Sequence, residues 1–239
     1  MIADRLRSIQ AGDGGWSPPS LPLYAWYESS AALDSSGDLI ATDSILVKTW
    51  IDKSGNGNNL VQTTTGSQPV WRSGSYGINS VPVLESTGLA EFINTTFNGS
   101  SLSVYIVAKR ATSPASYSGM FQIGSGAAIL HWPDNAWHFR SNNPNINGDI
   151  TTSVFGEVPL LHSLDFNNTV LNYDANSSTS GSKTSAVPTS LGTGFRVFSG
   201  YAGKWSGKIA EVIVCSRPLT SLEKSDLINY INKKYNLNI

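Results

Sequence analysis

The sequence predicts an all-β protein: a two-sheet antiparallel jelly-roll sandwich closed by one short C-terminal helix. Three observations carry that expectation. Short β-rich runs recur along most of the chain, separated by Gly, Ser, Asn and Pro turns. Residues 209–215 are apolar on both faces, with Ala210, Val212 and Val214 on one and Ile209, Ile213 and Cys215 on the other, interrupted only by Glu211. A run of that kind is a strand covered on both sides. Clear helical spacing with a start signal occurs at the end, where Leu227, Ile228, Ile231 and Tyr235 form one apolar stripe.

Taken in order, residues 1–22 stand apart from the sandwich, which is assigned to 23–239. Gly12, Gly14, Gly15, Pro18, Pro19 and Pro22 are too dense for a regular element. Two readings of the segment stand side by side: a disordered terminus, or an arm whose apolar residues, Leu6, Ile9, Trp16 and Leu21, dock on another chain. Strands are expected at 23–27, with Trp26 in the core, and at 46–52, after a polar loop over 34–43. Further strands follow at 81–84, 90–93, 102–108, 120–124, 127–131, 137–140, 160–166, 170–173 and 195–198. The Ser/Thr-rich stretch 177–190 reads as a long loop or hairpin tip. Arg217-Pro218 ends the strand at 209–215, because proline has no N–H for a ladder. Thr220 through Glu223 then forms a capping box, in which hydroxyl and carboxylate satisfy each other's orphan amides.

Composition limits the function. Charged residues make up 14% of the 239 and the formal net charge is −1, so no concentrated basic surface for nucleic acid exists. A single cysteine precludes an intrachain disulfide, and Cys215 reads as a small core residue. No run of about 18 apolar residues is present for membrane insertion, and the N-terminus lacks an apolar export signal. His131, His138 and His162 show no metal or nucleophile motif. The segment from Asp52 to Asn58 resembles the start of a calcium loop, with Asp52, Ser54 and Asn56 as the ligands, so Ca2+ is the one cofactor worth weighing. Thr63 stands where a bidentate glutamate belongs, however, and a turn using the positive-φ freedom of Gly55 and Gly57 explains the pattern more simply.

Several elements together carry a resemblance. They are Trp50-x-Asp52-x-Ser54-Gly55-Asn56-Gly57-Asn58, Gln68-Pro69, the run 78–83, and the strand–turn–helix from Gly207 to Tyr235. In this order they resemble the LamG-like jelly-roll domains of the concanavalin A-like lectin/glucanase superfamily, across roughly residues 23–235. The chain departs from that pattern after Asn172-Tyr173, where Asp174-Ala175-Asn176 replaces an Asn-Gly turn. The resemblance implies a lectin-like fold. The glucanase branch carries an E-x-D-x-x-E strand that aligns its carboxylates; here Glu28, Glu85, Glu91, Glu157, Glu211 and Glu223 are isolated, so no enzymatic activity is expected.

Sugar binding has more in its favour, because a sugar offers apolar C–H faces and fixed hydroxyls to a flat aromatic flanked by polar groups. Trp132, Asp134, Asn135, Trp137, Asn142 and Asn143 form such a cluster, against the alternative that the two tryptophans fill the core. An outward-facing lectin fold without export signal or disulfides suits a virion. The expected protein is therefore a non-enzymatic display protein of a tailed phage, either capsid decoration or tail appendage, made in the host cytoplasm. Its expected partners are other virion proteins held through the arm, cell-surface glycans, or a second copy of itself. The alternatives are a polysaccharide-active enzyme whose carboxylates meet only in space, and a carbohydrate-binding module of a larger secreted protein.

Overall fold

The structure is a computed structural model and describes residues 17–111, 118–131, 136–151, 157–176, 178–200 and 203–239. In chain order the strands are β1 (Leu23–Leu33), β2 (Ile45–Leu46), β3 (Thr49–Asp52), β4 (Leu60–Val61), β5 (Val70–Arg72), β6 (Val83–Thr87), β7 (Phe92–Asn98), β8 (Leu102–Arg110), β9 (Ser118–Ile123) and β10 (Ala127–His131). They continue with β11 (Trp137–Ser141), β12 (Gly148–Thr151), β13 (Leu160–Phe166), β14 (Val170–Ala175), β15 (Ser178–Thr184), β16 (Thr193–Val197), β17 (Ser199–Gly200), β18 (Gly203–Lys204) and β19 (Ser206–Cys215), and helix α1 (Ser221–Tyr235) follows. The larger sheet runs β15-β14-β13-β8-β19-β1-β3-β4, with β6, β5 and β2 continuing from β19. The smaller runs β12-β11-β10-β9-β16-β7, with β17 and β18 attached at β9. All pairings are antiparallel except the short β18–β9 bridge. This is the sandwich that the sequence predicts, with its one C-terminal helix.

Strand β19 is central, as its two apolar faces require. It pairs with β8 on one side and with β1 and β6 on the other. Its alternation is not simple, because a bulge at Ile209–Glu211 shifts the register against β8. Ile209 therefore joins Val212 and Val214 in the core between the sheets, while Ala210 joins Ile213 and Cys215 on the helix side. Between the sheets, Phe195 stacks on Phe121 at 5.4 Å and meets Phe97 edge-on at 5.7 Å. Each such pair contributes about 0.5–1.5 kcal/mol beyond its burial.

Helix α1 lays Leu227, Ile231 and Tyr235 on Trp26, Ile213 and Cys215, which makes the larger sheet covered on both faces. Burial pushes the Cys215 thiol up to about 12, so it remains an inert core group. The capping box forms as expected: Glu223 N donates to Thr220 Oγ1, and Thr220 N donates to the Glu223 carboxylate. Beside it, the Arg217 guanidinium and then the Thr220 amide hold the Glu223 carboxyl down at about 2. Thr220→Ala should cost about 1 kcal/mol, read as a lowered melting temperature with unchanged sheet content.

Two expectations need correcting here. The segment within 177–190 contains β15, an edge strand paired along β14, entered through Asn176 at φ 51°. The strand expected at 46–52 is two pieces, β2 and β3, which pair with different neighbours. Among the described residues, no helix is long and apolar enough to cross a membrane.

Candidate functional site

Of the sequence-predicted sugar-binding residues, the described ones, Trp137, Asn142 and Asn143, do not come together in one site. Trp137 faces inward, 1% exposed, edge-on to His162 at 4.3 Å and tilted on Trp205 at 6.0 Å. It is a core residue, because alternation along β11 sends Trp137 and Phe139 between the sheets. Asn142 and Asn143 lie past the opposite end of β11. There Asn143 Nδ2 donates to Ser190 O at 2.7 Å and its Oδ1 accepts from Asn145 N, so the side chain ties two loops together. Trp132, Asp134 and Asn135 lie outside the described residues, as do Leu6, Ile9 and Trp16 of the arm. Leu21 is 7% exposed and packs on its own domain, in the cluster under α1.

The Asp52 loop is a turn that satisfies itself. Asp52 Oδ1 accepts from Trp26 N and Ser54 N, each at 2.9 Å, and Oδ2 accepts from Asn58 N at 2.9 Å. Asn56 and Asn58 donate to the Tyr24 and Leu23 carbonyls, and Gly55 and Gly57 take φ values of 88° and 77°. The motif therefore pins the β3–β4 connection to β1. Among the described residues no three His, Cys, Asp or Glu side chains gather as a metal site.

Two carboxylates do converge in space. Glu28 and Glu211 are cross-strand partners on β1 and β19, beneath α1. Glu211 Oε1 accepts from Trp26 Nε1 at 2.6 Å and Tyr230 OH at 3.0 Å, and Oε2 from Tyr235 OH at 2.7 Å and Lys234 Nζ at 2.9 Å. Glu28 accepts from Lys234 Nζ at 2.6 Å and from Lys53 Nζ. Every carboxylate oxygen is engaged, and Glu211 is 1% exposed. This cluster clamps the helix to the sheet and offers no acid or base to a substrate.

The remaining face is the outer side of the smaller sheet. Phe121, Ile129, Phe139, Ile150 and Phe195 point inward, so their neighbours in sequence point out. Strand register lines up one outward row across six strands: Ile93, Arg196, Gln122, Ala128, Arg140 and Asp149. At about 4.8 Å per strand the row is about 24 Å long. Arg196 is paired with Glu91 at 2.8 Å and Arg140 with Asp149 at 3.6 Å, so each cation is held beside an acceptor. A second, shorter row holds Gly119, Leu130, His138 and Thr151, with Thr151 Oγ1 3.0 Å from His138 Nδ1.

No protein-family model matches the chain, and no curated protein matches it in sequence. Solved structures do share its fold. The Trypanosoma rangeli sialidase superposes with a TM-score of 0.57 at 9% identity, covering 98% of this chain and 38% of that one. The same enzyme in complex with a difluoro-KDN inhibitor gives 0.56 at 9% identity over the same shares. Domain 4 of an extracellular GH43 arabinanase from Geobacillus stearothermophilus, in complex with arabinotriose, gives 0.58 at 13% identity, covering 86% of this chain and 97% of that one. The chain thus spans under two fifths of the sialidase chains and nearly all of the arabinanase domain.

What these likenesses define is the fold, a two-sheet sandwich that also occurs in the sialidase chains and in the arabinanase domain. The expectation of a protein without enzymatic activity is corrected on that ground, since the fold is shared with chains of sialidases and of an arabinanase. None of these neighbours is a phage or LamG protein, so virion display gains no support from them.

Proposed function

We propose that this chain is a carbohydrate-binding sandwich of the kind that forms one module of a glycan-active protein, and that its sugar lies on the outer face of the smaller sheet. The observation that carries the reading is the outward row from Ile93 to Asp149. A sugar hydroxyl both donates and accepts. The Arg196–Glu91 and Arg140–Asp149 pairs each present donors and acceptors side by side, with Arg196, Arg140 and Asp149 on strands and Glu91 just before β7. Both pairs are charge-balanced, which suits a neutral polysaccharide. The arabinanase domain of like fold holds arabinotriose, and the LamG-like motifs in the sequence favour the same class of ligand.

Calorimetry against arabinan, glucan, galactan and sialylated oligosaccharides tests the reading, with release of reducing ends followed in parallel. Arg140→Ala and Arg196→Ala should each weaken binding at least tenfold, about 1.4 kcal/mol. Because exposed ion pairs contribute little to folding, both variants should keep their stability to within about 0.5 kcal/mol. Full affinity in both variants would move the site elsewhere, and no affinity for any glycan would end the proposal.

A further inference from the structure

The outer face of the larger sheet carries a charged row at the margin of the apolar layer under α1. Register sets Val70, Glu85, Lys208 and Lys109 side by side across β5, β6, β19 and β8. Trp71, Leu84, Ile209 and Ala108, one residue along each strand, fill the core between the sheets, so this row points outward. Two residues along, Val83, Ala210 and Val107 belong to the cluster under the helix. Lys208 and Lys109 are thus directly opposed, with Cβ atoms about 4.5–5.5 Å apart, where like charges repel. Carboxylate is in short supply around them. Glu85 lies 3.7 Å from Lys208 Nζ but also accepts from Arg72 Nε at 2.5 Å, and Asp43 accepts from Arg72 at 3.2 Å. Arg72, Lys208 and Lys109 therefore face only Asp43 and Glu85, and among the described residues Lys109 has no acidic partner.

Lys208 Nζ also donates to Tyr76 O at 2.5 Å, and Tyr76 is 59% exposed. The turn that carries it is firmly held. Gly77 N donates to Gly74 O at 3.1 Å, a Cβ on Gly77 would run into Val81 O, and Asn79 Nδ2 donates to Tyr235 O at 2.5 Å. Such an aromatic loses little further freedom when a ligand settles on it. We infer that Tyr76, Lys208 and Lys109 form a site for a carboxylate-bearing sugar, a uronic or sialic acid, with its carboxylate at the two ammonium groups and its C–H face on the tyrosine ring. The site goes beyond the row on the smaller sheet, whose balanced pairs suit a neutral glycan, and lies on the other side of the sandwich. A carboxylate between opposed lysines relieves their repulsion, and a charge-assisted hydrogen bond is about twice as strong as a neutral one. Phosphate or sulfate would satisfy the lysines but has no apolar face to offer the ring.

Calorimetry of the full chain against oligogalacturonate, sialyllactose and neutral galactan oligosaccharides tests this, with sodium sulfate as the plain-anion control. The wild type should bind at least one of the acidic sugars, and Lys109→Gln should weaken that binding at least about tenfold. Tyr76→Ala should do the same, while Tyr76→Phe, which keeps the ring face, should not. Without ligand, Lys109→Gln should melt no lower than the wild type, because it removes a repulsion; a lower melting temperature counts against the site. Arg140→Ala, on the other sheet, should leave acidic-sugar binding intact. Unchanged affinity in Lys109→Gln or in Tyr76→Ala overturns the site, as does equal binding of sulfate, or a loss in Arg140→Ala in place of Lys109→Gln. A protein that binds a neutral glycan but neither acidic sugar loses this site and keeps the reading of the smaller sheet. One that binds no sugar at all loses both.

Discussion

Val212→Asp should leave a chain that no longer melts cooperatively. Val212 is fully buried between the sheets, in the strand that joins β8 to β1, and the groups around it are apolar. An unpaired carboxylate there costs about 3–5 kcal/mol, and the lost valine burial adds about 1.5–3 kcal/mol. The sum approaches the whole stability of a typical domain, about 5–15 kcal/mol. Leu222→Asp is the control. Leu222 is 72% exposed in the first turn of α1, where a negative charge faces the positive end of the helix dipole, so its cost should stay under about 0.5 kcal/mol. Thermal melts of the two variants followed by circular dichroism decide the matter. A cooperative Val212→Asp transition near the wild-type temperature would remove β19 from the centre of the fold.

Signals that are local in sequence were the legible ones. The apolar run at 209–215 announced a doubly covered strand, and Thr220 with Glu223 announced the helix start three residues apart. The bulge at Ile209–Glu211 had no such mark, because neither glycine nor proline stands there and the extra residue shows only in the pairing with β8. Strand β15 was hidden for a different reason. Its residues are Ser, Thr, Gly and Lys, so this edge strand leaves no hydrophobic alternation to read.

The candidate site was less legible than the fold. Trp137 belongs to an aromatic–polar cluster in sequence, and core and sugar platform both use aromatics; only the facing of β11 separates them, and that depends on Phe139 and Ile150 sharing its side. The outward row joins Arg196, Gln122, Arg140 and Asp149 from four strands, so no motif contains it. A usable signal was present all the same: Trp137-His138-Phe139-Arg140 alternates apolar with polar, which is how a strand with one face in the core between the sheets reads. Glu211 gave a second signal. A lone carboxylate in an otherwise apolar buried strand requires donors from elsewhere in the chain, and Tyr230, Lys234 and Tyr235 are spaced along the helix so as to supply them.

That requirement leads to the second large effect, at Lys234. Its ammonium donates to Glu28 at 2.6 Å, to Glu211 at 2.9 Å and to Tyr230 OH at 2.7 Å, and with Lys53 it balances two buried carboxylates. Lys234→Met keeps an unbranched side chain and removes one of the two charges, which should cost about 3–5 kcal/mol. Breaking the exposed Arg217–Glu223 pair should cost no more than about 1 kcal/mol. The pH dependence separates a lost charge from lost packing. Burial raises the Glu28 carboxyl, but Lys234 and Lys53 outweigh it and hold the group below its ordinary 4.5. A depressed carboxyl stabilises the fold above its unfolded value and loses that contribution as pH falls through the folded one. Lys234 behaves oppositely: burial lowers it, Glu211 and Glu28 more than compensate, and its contribution lasts until pH rises beyond the ordinary 10.5. In the wild type the clamp is therefore intact across the interval between these two values. With Lys234 gone, Glu28 keeps its burial and loses a counter-charge, so the deficit of the variant should be full at pH 7 and should shrink as acid protonates that carboxyl. Urea titrations of both proteins at pH 7 and at pH 3.5 measure it, and a deficit of the same size at both would mean that methionine had disturbed packing alone.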